Sequence, residues 1–389
     1  MRVTLPFVSA ARQVSGVQRH AVNVAKSLLL SQEITALTIV VAPWQEHLIE
    51  MLPADERLKL VFTTFKDSSW SRNRWYYDGL PTICEAADIV HLSYPVPVHH
   101  SAYPCPIVTS LHDMYPFDLP ENFGLVKGHF NRYVLRSCLH AVDAIACVSQ
   151  STMARLEIVE PRLALTKAVV IPNAVEPGPE ERPRILRPRS APFLLCVAQH
   201  RRNKQLLLLL EVFVALLRSG AVSGNMQLII VGISGPETPA IHAVIRKYRL
   251  EDRVRTVSGL SDRQLQELYQ RCDALIAPSS IEGFGLPVVE AILAGCRVVC
   301  SDIAAFREVG NSSCNFVRLG THEVGEFVAA IEKALRRPKP RPVKRPDLSL
   351  GAVSEQYLSL YRSLLQPISE TASSRLAGAA VKRRREVEV

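Results

Sequence analysis

Glu282 and Glu290 are the residues around which a chemistry can be assembled. They bracket Gly283-Phe284-Gly285-Leu286-Pro287 within the run Ala277–Gly295. An apolar stretch ends at Ala277, the two glycines permit an unusual backbone turn, and Pro287 suits a first helical turn, where its missing N–H is not needed. A helix is therefore expected to start at the carboxyl edge of a sheet, with free N–H groups that can hold an anion. Glu282 lies just before that helix and Glu290 about one turn inside it, so the two carboxylates face one site without touching. Such a pair beside an anion-holding N-terminus suits a nucleotide diphosphate that carries two hydroxylated rings. An ordinary strand–turn–helix with surface glutamates, or a hydrolytic carboxylate pair, would use the same residue types. Glycosidase acids, however, work across the scissile bond in a site that need not hold phosphate.

Two other places offer polar groups at strand ends. Arg201-Arg202-Asn203-Lys204 follows an apolar run, and an arginine fork with a compact lysine charge suits phosphate oxygens; the plainer reading is a solvated basic loop. His112 ends the apolar run Ile107–Leu111, at the edge where open α/β sheets bind ligands, although a lone histidine there is more often structural. No Asp-x-Asp pair occurs anywhere in the chain, so the usual carboxylate source for a catalytic divalent ion is missing and metal independence is expected. The nine cysteines are odd in number and scattered through apolar stretches, which reads as buried, reduced thiols. Cys296 and Cys300 have no second Cys/His pair at zinc spacing.

Positioning these groups takes two α/β units. With 389 residues the chain exceeds what one hydrophobic core usually supports. The apolar run Val3–Val8, a turn at Ser15-Gly16 and apolar residues at 17, 21, 24, 28 and 29 form a strand, glycine turn and helix, the opening unit of a doubly wound sheet. Further β-rich runs at Ala36–Val41, Leu58–Phe62, Ile89–Leu92, Ile107–Leu111, Ala144–Val148 and Ala168–Ile171 predict a mainly parallel sheet. The rhythm restarts with strands at Phe193–Val197, Met226–Val231, Val254–Val257, Ala274–Ala277 and Arg297–Cys300, and helices near 204–217, 239–248, 262–272, 286–294 and 324–335. The expected organisation is a first domain over 1–180, a proline- and charge-rich linker at 181–192, and a second domain over 193–345. A helix over 346–366 is expected to cross back to the first domain, ahead of a basic tail at 367–389 without order.

The pattern around Glu282 and Glu290 resembles the EGFGLP…E signature of the retaining glycosyltransferases of family 4, also called glycosyltransferase group 1, and Gly283–Pro287 agree with it residue for residue. Other stretches agree in order up to about residue 365. Gly16 sits in the family's first glycine loop, though Ser15 stands where a second glycine is common. His112-Asp113, Val148-Ser149 and Ile171-Pro172-Asn173 match later markers, Leu195–Lys204 the basic diphosphate segment, and Gly259–Asp262 the loop near the nucleotide base. One departure is Ala198-Gln199, where Gly-Arg is common; the arginine then comes from Arg201 or Arg202, with Lys204 as the lysine.

The resemblance implies an α/β protein of the GT-B fold, two Rossmann-like doubly wound domains facing a central cleft, with acceptor recognition mainly in the first and the donor nucleotide mainly in the second. It implies transfer with retained anomeric configuration through a front-face, ion-pair-like reaction. Glu290 would hold the ribose hydroxyls, Glu282 and His112 the donor sugar, and Gly283–Gly285 with Arg201 and Lys204 the diphosphate. Gly16, Arg202, Gly259, Phe284 and Leu286 would complete the donor site. No cofactor is expected, the nucleotide-diphosphate sugar being a substrate. The form of the motif with Arg-Asn-Lys looks like polysaccharide mannosyltransferases, so mannose from a guanosine donor is the first expectation, with glucose, galactose and rhamnose donors open.

The net charge of +9 is concentrated at Arg182–Arg189, Arg336–Arg345 and Lys382–Arg385. These are either solvated linker and tail, or attraction to an anionic membrane surface or phosphate-bearing substrates. Without interleaved aromatics they do not point to nucleic acid. No apolar run of about 20 residues and no signal-peptide pattern occur, so the expected address is cytoplasmic, peripheral on the inner face of the cell membrane. The expected partners are a nucleotide sugar and a saccharide or lipid-linked acceptor in surface polysaccharide biosynthesis. A phosphorylase on the same fold and a non-catalytic nucleotide-sugar-binding subunit are the alternatives.

Overall fold

The computed structural model describes residues 1–120, 124–176 and 191–366. Most of the expected linker and the whole of the basic tail therefore lie outside the described residues. The first domain carries β1 (Arg2–Pro6), β2 (Ala36–Val41), β3 (Leu58–Phe62), β4 (Ile89–Leu92), β5 (Ile107–Leu111), β6 (Ala144–Cys147) and β7 (Ala168–Val170). The second carries β8 (Phe193–Val197), β9 (Gln227–Val231), β10 (Val254–Val257), β11 (Ala274–Ala277), β12 (Val298–Ser301) and β13 (Cys314–Val317). The strand orders are β3-β2-β1-β4-β5-β6-β7 and β10-β9-β8-β11-β12-β13, and every pairing is parallel.

Strands such as β4, β5, β6 and β12 are buried along their whole length, because helices cover both faces of a parallel sheet. In each sheet the winding reverses, between β1 and β4 and between β8 and β11. Crevices open at the carboxyl ends of strands at such reversals, and the connections after β8 and β11 carry Lys204 and Glu282.

The serine that replaces a common glycine at position 15 has a local reason. Its side chain caps the helix Gly16–Leu29 in a reciprocal capping box with Gln18, which satisfies helix-end donors that a glycine would leave to water. β1 stops at Pro6, short of the expected Val8, and the Val8 carbonyl instead accepts from the hydroxyls of Tyr76 (2.6 Å) and Tyr94 (2.8 Å). β13 did not stand out in the sequence because it is only four residues long and Asn315 interrupts its apolar residues.

The last helix, Leu350–Leu365, inserts Tyr357, Leu358 and Tyr361 into the core of the first domain alongside Leu5, Val22 and Ile39, and Arg362 pairs with Glu33. Tyr361 bonds His91 Nδ1 at 2.6 Å, so the chain crosses to the second domain and returns. Among the described residues no helix is long and apolar enough to cross a membrane.

Candidate functional site

The turn between β11 and the helix Leu286–Leu293 requires both of its glycines, for different reasons. A Cβ at Gly283 would fall 1.7 Å from the His112 carbonyl oxygen, so only glycine allows the two domains to approach there. Gly285 has φ +95° and a Cβ there would meet the Phe306 ring at 2.8 Å, so it is excluded to other residues by backbone and packing together. Pro287 occupies the first helical turn. Phe284 is turned into the core of the second domain, 5% exposed, so what it offers the turn is its backbone. Across the cleft stands Gly16, where an added Cβ would lie 3.9 Å from Leu286 Cδ1.

Lys204 Nζ donates to Glu282 Oε1 at 2.6 Å. The lysine ends a single 3₁₀ turn, Arg202–Lys204, closed by Gln205 in the left-handed region at φ +51°. Asn203, buried, ties this turn to the glutamate's own segment: its carbonyl accepts from Ser280 N at 2.8 Å, and its Nδ2 donates to the Ile281 carbonyl at 3.3 Å. Tyr115 donates to the same carbonyl from the other domain at 3.2 Å. Of the two arginines, it is Arg201 whose charge reaches Asp113 and Tyr115; both arginine side chains are exposed. Burial pushes the Asp113 carboxyl up to about 6, against the opposing pull of its hydrogen bond from Tyr115 N and of Lys204 and Arg201.

Glu290 belongs to a separate corner. Tyr269 donates to its Oε2 at 2.7 Å. Burial raises this carboxyl above its ordinary range, with the charge of Arg19 pulling the other way. Arg19 stands on the first helix of the first domain and pairs with Asp262 at 2.6 Å. Gly259, at φ +69°, and Ser261, the cap of the helix Asp262–Arg271, set that pairing. The loop expected near the nucleotide base is thus also a contact between domains.

His112 follows β5, half-buried, and its Nε2 lies 2.9 Å from the Ser93 carbonyl. A carbonyl only accepts, so Nε2 carries the proton and Nδ1 is an acceptor. Burial brings the imidazole down to about 4, so it is neutral at pH 7. Its ring lies edge-on to His20, with centroids 4.7 Å apart. The His112 carbonyl accepts from Thr152 Oγ1 at 3.1 Å, and Ser149 Oγ donates to the Gly283 carbonyl. Glu308 of the second domain accepts from Gln150 N (2.9 Å) and Ser151 N (3.1 Å), at the start of the helix Gln150–Val159.

The structure therefore brings Lys204, Glu282, Gly283 and the His112 backbone together, sets Glu290 with Gly259's loop and Arg19, and leaves Arg202 exposed to solvent. Sequence reasoning missed Arg19, Tyr115, Asn203, Tyr269 and Glu308. Asn203 sat inside a segment already singled out, and Arg19 falls between the apolar positions 17 and 21 of the first helix; the others carry no local signal.

The family description "Glycosyl transferases group 1" matches residues 178–345 and "Glycosyltransferase Family 4" matches residues 14–178. The chain belongs to the group 1, family 4 glycosyltransferases, and its fold is GT-B. It is 23% identical over 319 residues to O-antigen chain mannosyltransferase B of Escherichia coli, covering 76% of this chain and 81% of that protein. It is 31% identical over 193 residues to GDP-mannose:cellobiosyl-diphosphopolyprenol alpha-mannosyltransferase of Komagataeibacter xylinus, covering 47% of each. Among solved structures, HepE of Anabaena in complex with UDP and glucose superposes with a TM-score of 0.63 at 17% identity, over 96% of this chain and 100% of that one.

Proposed function

We propose that this glycosyltransferase moves a sugar, first of all mannose from a guanosine-diphosphate donor, to a saccharide or lipid-linked acceptor in surface polysaccharide synthesis, retaining the anomeric configuration and needing no metal. The observation that carries the reading is the meeting of Lys204 and Glu282 at 2.6 Å, from the connections after β8 and β11, beside the glycine turn at the winding reversal. Lys204 and Arg201, with the N–H groups of the turn, would bear on the diphosphate, whose negative charge grows as the sugar–phosphate bond breaks; fixed donors stabilise that charge most at the transition state. Glu282 and the neutral His112, with its acceptor Nδ1, suit sugar hydroxyls, and Glu290 with Tyr269 suits ribose. Metal independence rests on the lack of an Asp-x-Asp pair in the chain.

Mannose is favoured by the names of the relatives just given. A thermal-shift screen of nucleotide sugars tests the donor, since a ligand that binds only the folded state raises its melting temperature. GDP-mannose should stabilise the protein most; stabilisation by no nucleotide sugar would overturn the reading. An anionic membrane surface is a further partner in this proposal, drawn by the cations of 336–345 and 382–385. Weaker sedimentation with phosphatidylglycerol vesicles after removal of 376–389 is the result it requires, and unchanged sedimentation counts against it.

A further inference from the structure

An open groove of about 570 Å³ lies on the first domain, away from the residues discussed so far, with Trp70, Arg74, Tyr77 and Phe130 in its walls. Three large aromatic side chains in it face solvent: Trp70 is 69% exposed, Tyr77 42% and Phe130 50%. Singly exposed apolar residues are ordinary, but aromatics gathered around one concavity mark a binding surface.

The helical stretch 69–83 explains why they gather. Trp70, Asn73, Arg74, Tyr77 and Asp78 recur at the three- and four-residue spacing that shares one helix face. The opposite face is nailed down: Tyr76 and Leu80 are buried, the Tyr76 hydroxyl bonds the Val8 carbonyl, and Tyr103 donates to the Tyr76 carbonyl at 2.9 Å. Trp75 stacks on Phe65 with centroids 5.6 Å apart, and Gly79 leaves room for its indole, since a Cβ there would lie 2.7 Å from Trp75 Cδ1. The outward rings are held as well. Arg74 lies over the Trp70 ring at 5.4 Å and pairs with Asp78 at 3.6 Å, and Tyr77 stacks on His99 at 4.8 Å and 9°. Rigid aromatic walls lose little freedom when something settles on them.

We infer that this groove is an acceptor subsite that takes saccharide units remote from the reacting hydroxyl. The inference rests on the glycosyltransferase reading of the cleft. A pyranose presents an apolar C–H face and a rim of hydroxyls; the ring faces fit the first, and Asn73, Arg74 and Asp78 fit the second. The groove's residues follow the carboxyl ends of β3, β4 and β5, the sheet edge on which His112 stands, so a glycan that reaches the cleft can run along it. A bilayer fits less well: the surface is concave, and the half-exposed Asp78 carboxylate repels anionic headgroups.

Trp70→Ala tests the assignment, because an exposed indole can be removed without emptying the core; an unchanged melting temperature confirms the fold. Binding of mannotriose, cellotriose and maltotriose is measured by saturation-transfer NMR on the wild-type protein and the variant, with GDP binding followed in parallel. At least one trisaccharide should bind, and its affinity should fall about tenfold in Trp70→Ala with GDP binding unchanged. No trisaccharide binding, or equal binding by both proteins while GDP still binds, overturns the groove and leaves the glycosyltransferase reading standing. Trp70-dependent saccharide binding in a protein that binds no nucleotide or nucleotide sugar has the opposite meaning, a saccharide groove without the proposed reaction. If Trp70→Ala instead weakens sedimentation of the chain lacking 376–389 with phosphatidylglycerol vesicles and leaves saccharide binding intact, the groove is a membrane contact and the inference fails.

Discussion

Glu282 and Glu290 stand on either side of one helix start, and that position divides their work. Glu282, paired with Lys204 at 2.6 Å, would in the proposed reaction sit where charge and ring shape change most, so its loss should fall on kcat. Glu290, bonded to Tyr269 at 2.7 Å, would in the proposed reaction face a ribose that changes little, so its loss should raise KM. Steady-state kinetics of Glu282→Gln should show kcat down roughly a hundredfold or more, and Glu290→Gln mainly a higher KM; near-wild-type kinetics in both, with native stability, would refute the assignment. These residues, with Gly283, Gly285 and Lys204, were legible because a turn needs its glycines and proline in local order. Arg19 was not legible as part of the site. Its partner Asp262 lies 243 positions away, and no local pattern reports a pairing made only by folding. The sequence also left open whether Arg201 or Arg202 is the diphosphate arginine; in the structure it is Arg201 whose charge reaches Asp113.

At the scale of elements, twelve of the thirteen strands among the described residues stood out as apolar or β-rich runs, most plainly those such as β4, β5, β6 and β12 that are buried along their whole length. In the four-residue β13, Asn315 interrupts the apolar residues. The contacts of the last helix were invisible for another reason: they end in a buried polar chain through Tyr361, His91, Ser110, His20 and Asn173, residues from four distant parts of the sequence. Tyr361→Phe leaves His91 Nδ1 without its partner in the core, a loss of about 1–3 kcal/mol that urea unfolding should register; an unchanged midpoint would show the bond to be idle.

The same chain, with His112 edge-on to His20, gives stability a pH dependence. Burial brings His91 down to about 3 and His112 to about 4, and puts His20 well below its ordinary value. The unfolded chain therefore binds protons below about pH 6.5 that the fold refuses, and stability falls with pH from there by up to about 1.4 kcal/mol per unit for each histidine. Asp113, raised to about 6, and Glu290, also raised, act with the opposite sign, because the fold takes up their protons first. The histidines outnumber them, so unfolding free energy should decline from pH 6.5 to 4.5, and His91→Gln should make the decline shallower. A decline of the same slope in that variant would contradict the account.

On the scale of the whole molecule, two parallel sheets each reverse their winding, and the residues at those reversals are held toward each other. Arg19 pairs with Asp262, Ser149 and Thr152 reach the Gly283 carbonyl, and Glu308 caps the helix Gln150–Val159. The cleft is therefore defined by hydrogen bonds between domains as well as by the returning helix, with Lys204 and Glu282 on the second domain and His112 on the first. The measurement that tests this most directly is transfer itself. The purified chain is incubated with GDP-mannose and manno-oligosaccharides in excess EDTA, and the new anomeric signal is followed by proton NMR. The account predicts a glycosidic bond of the donor's own α configuration, formed at the same rate with and without the chelator. An inverted product, or transfer abolished by EDTA and restored by magnesium or manganese, would contradict it.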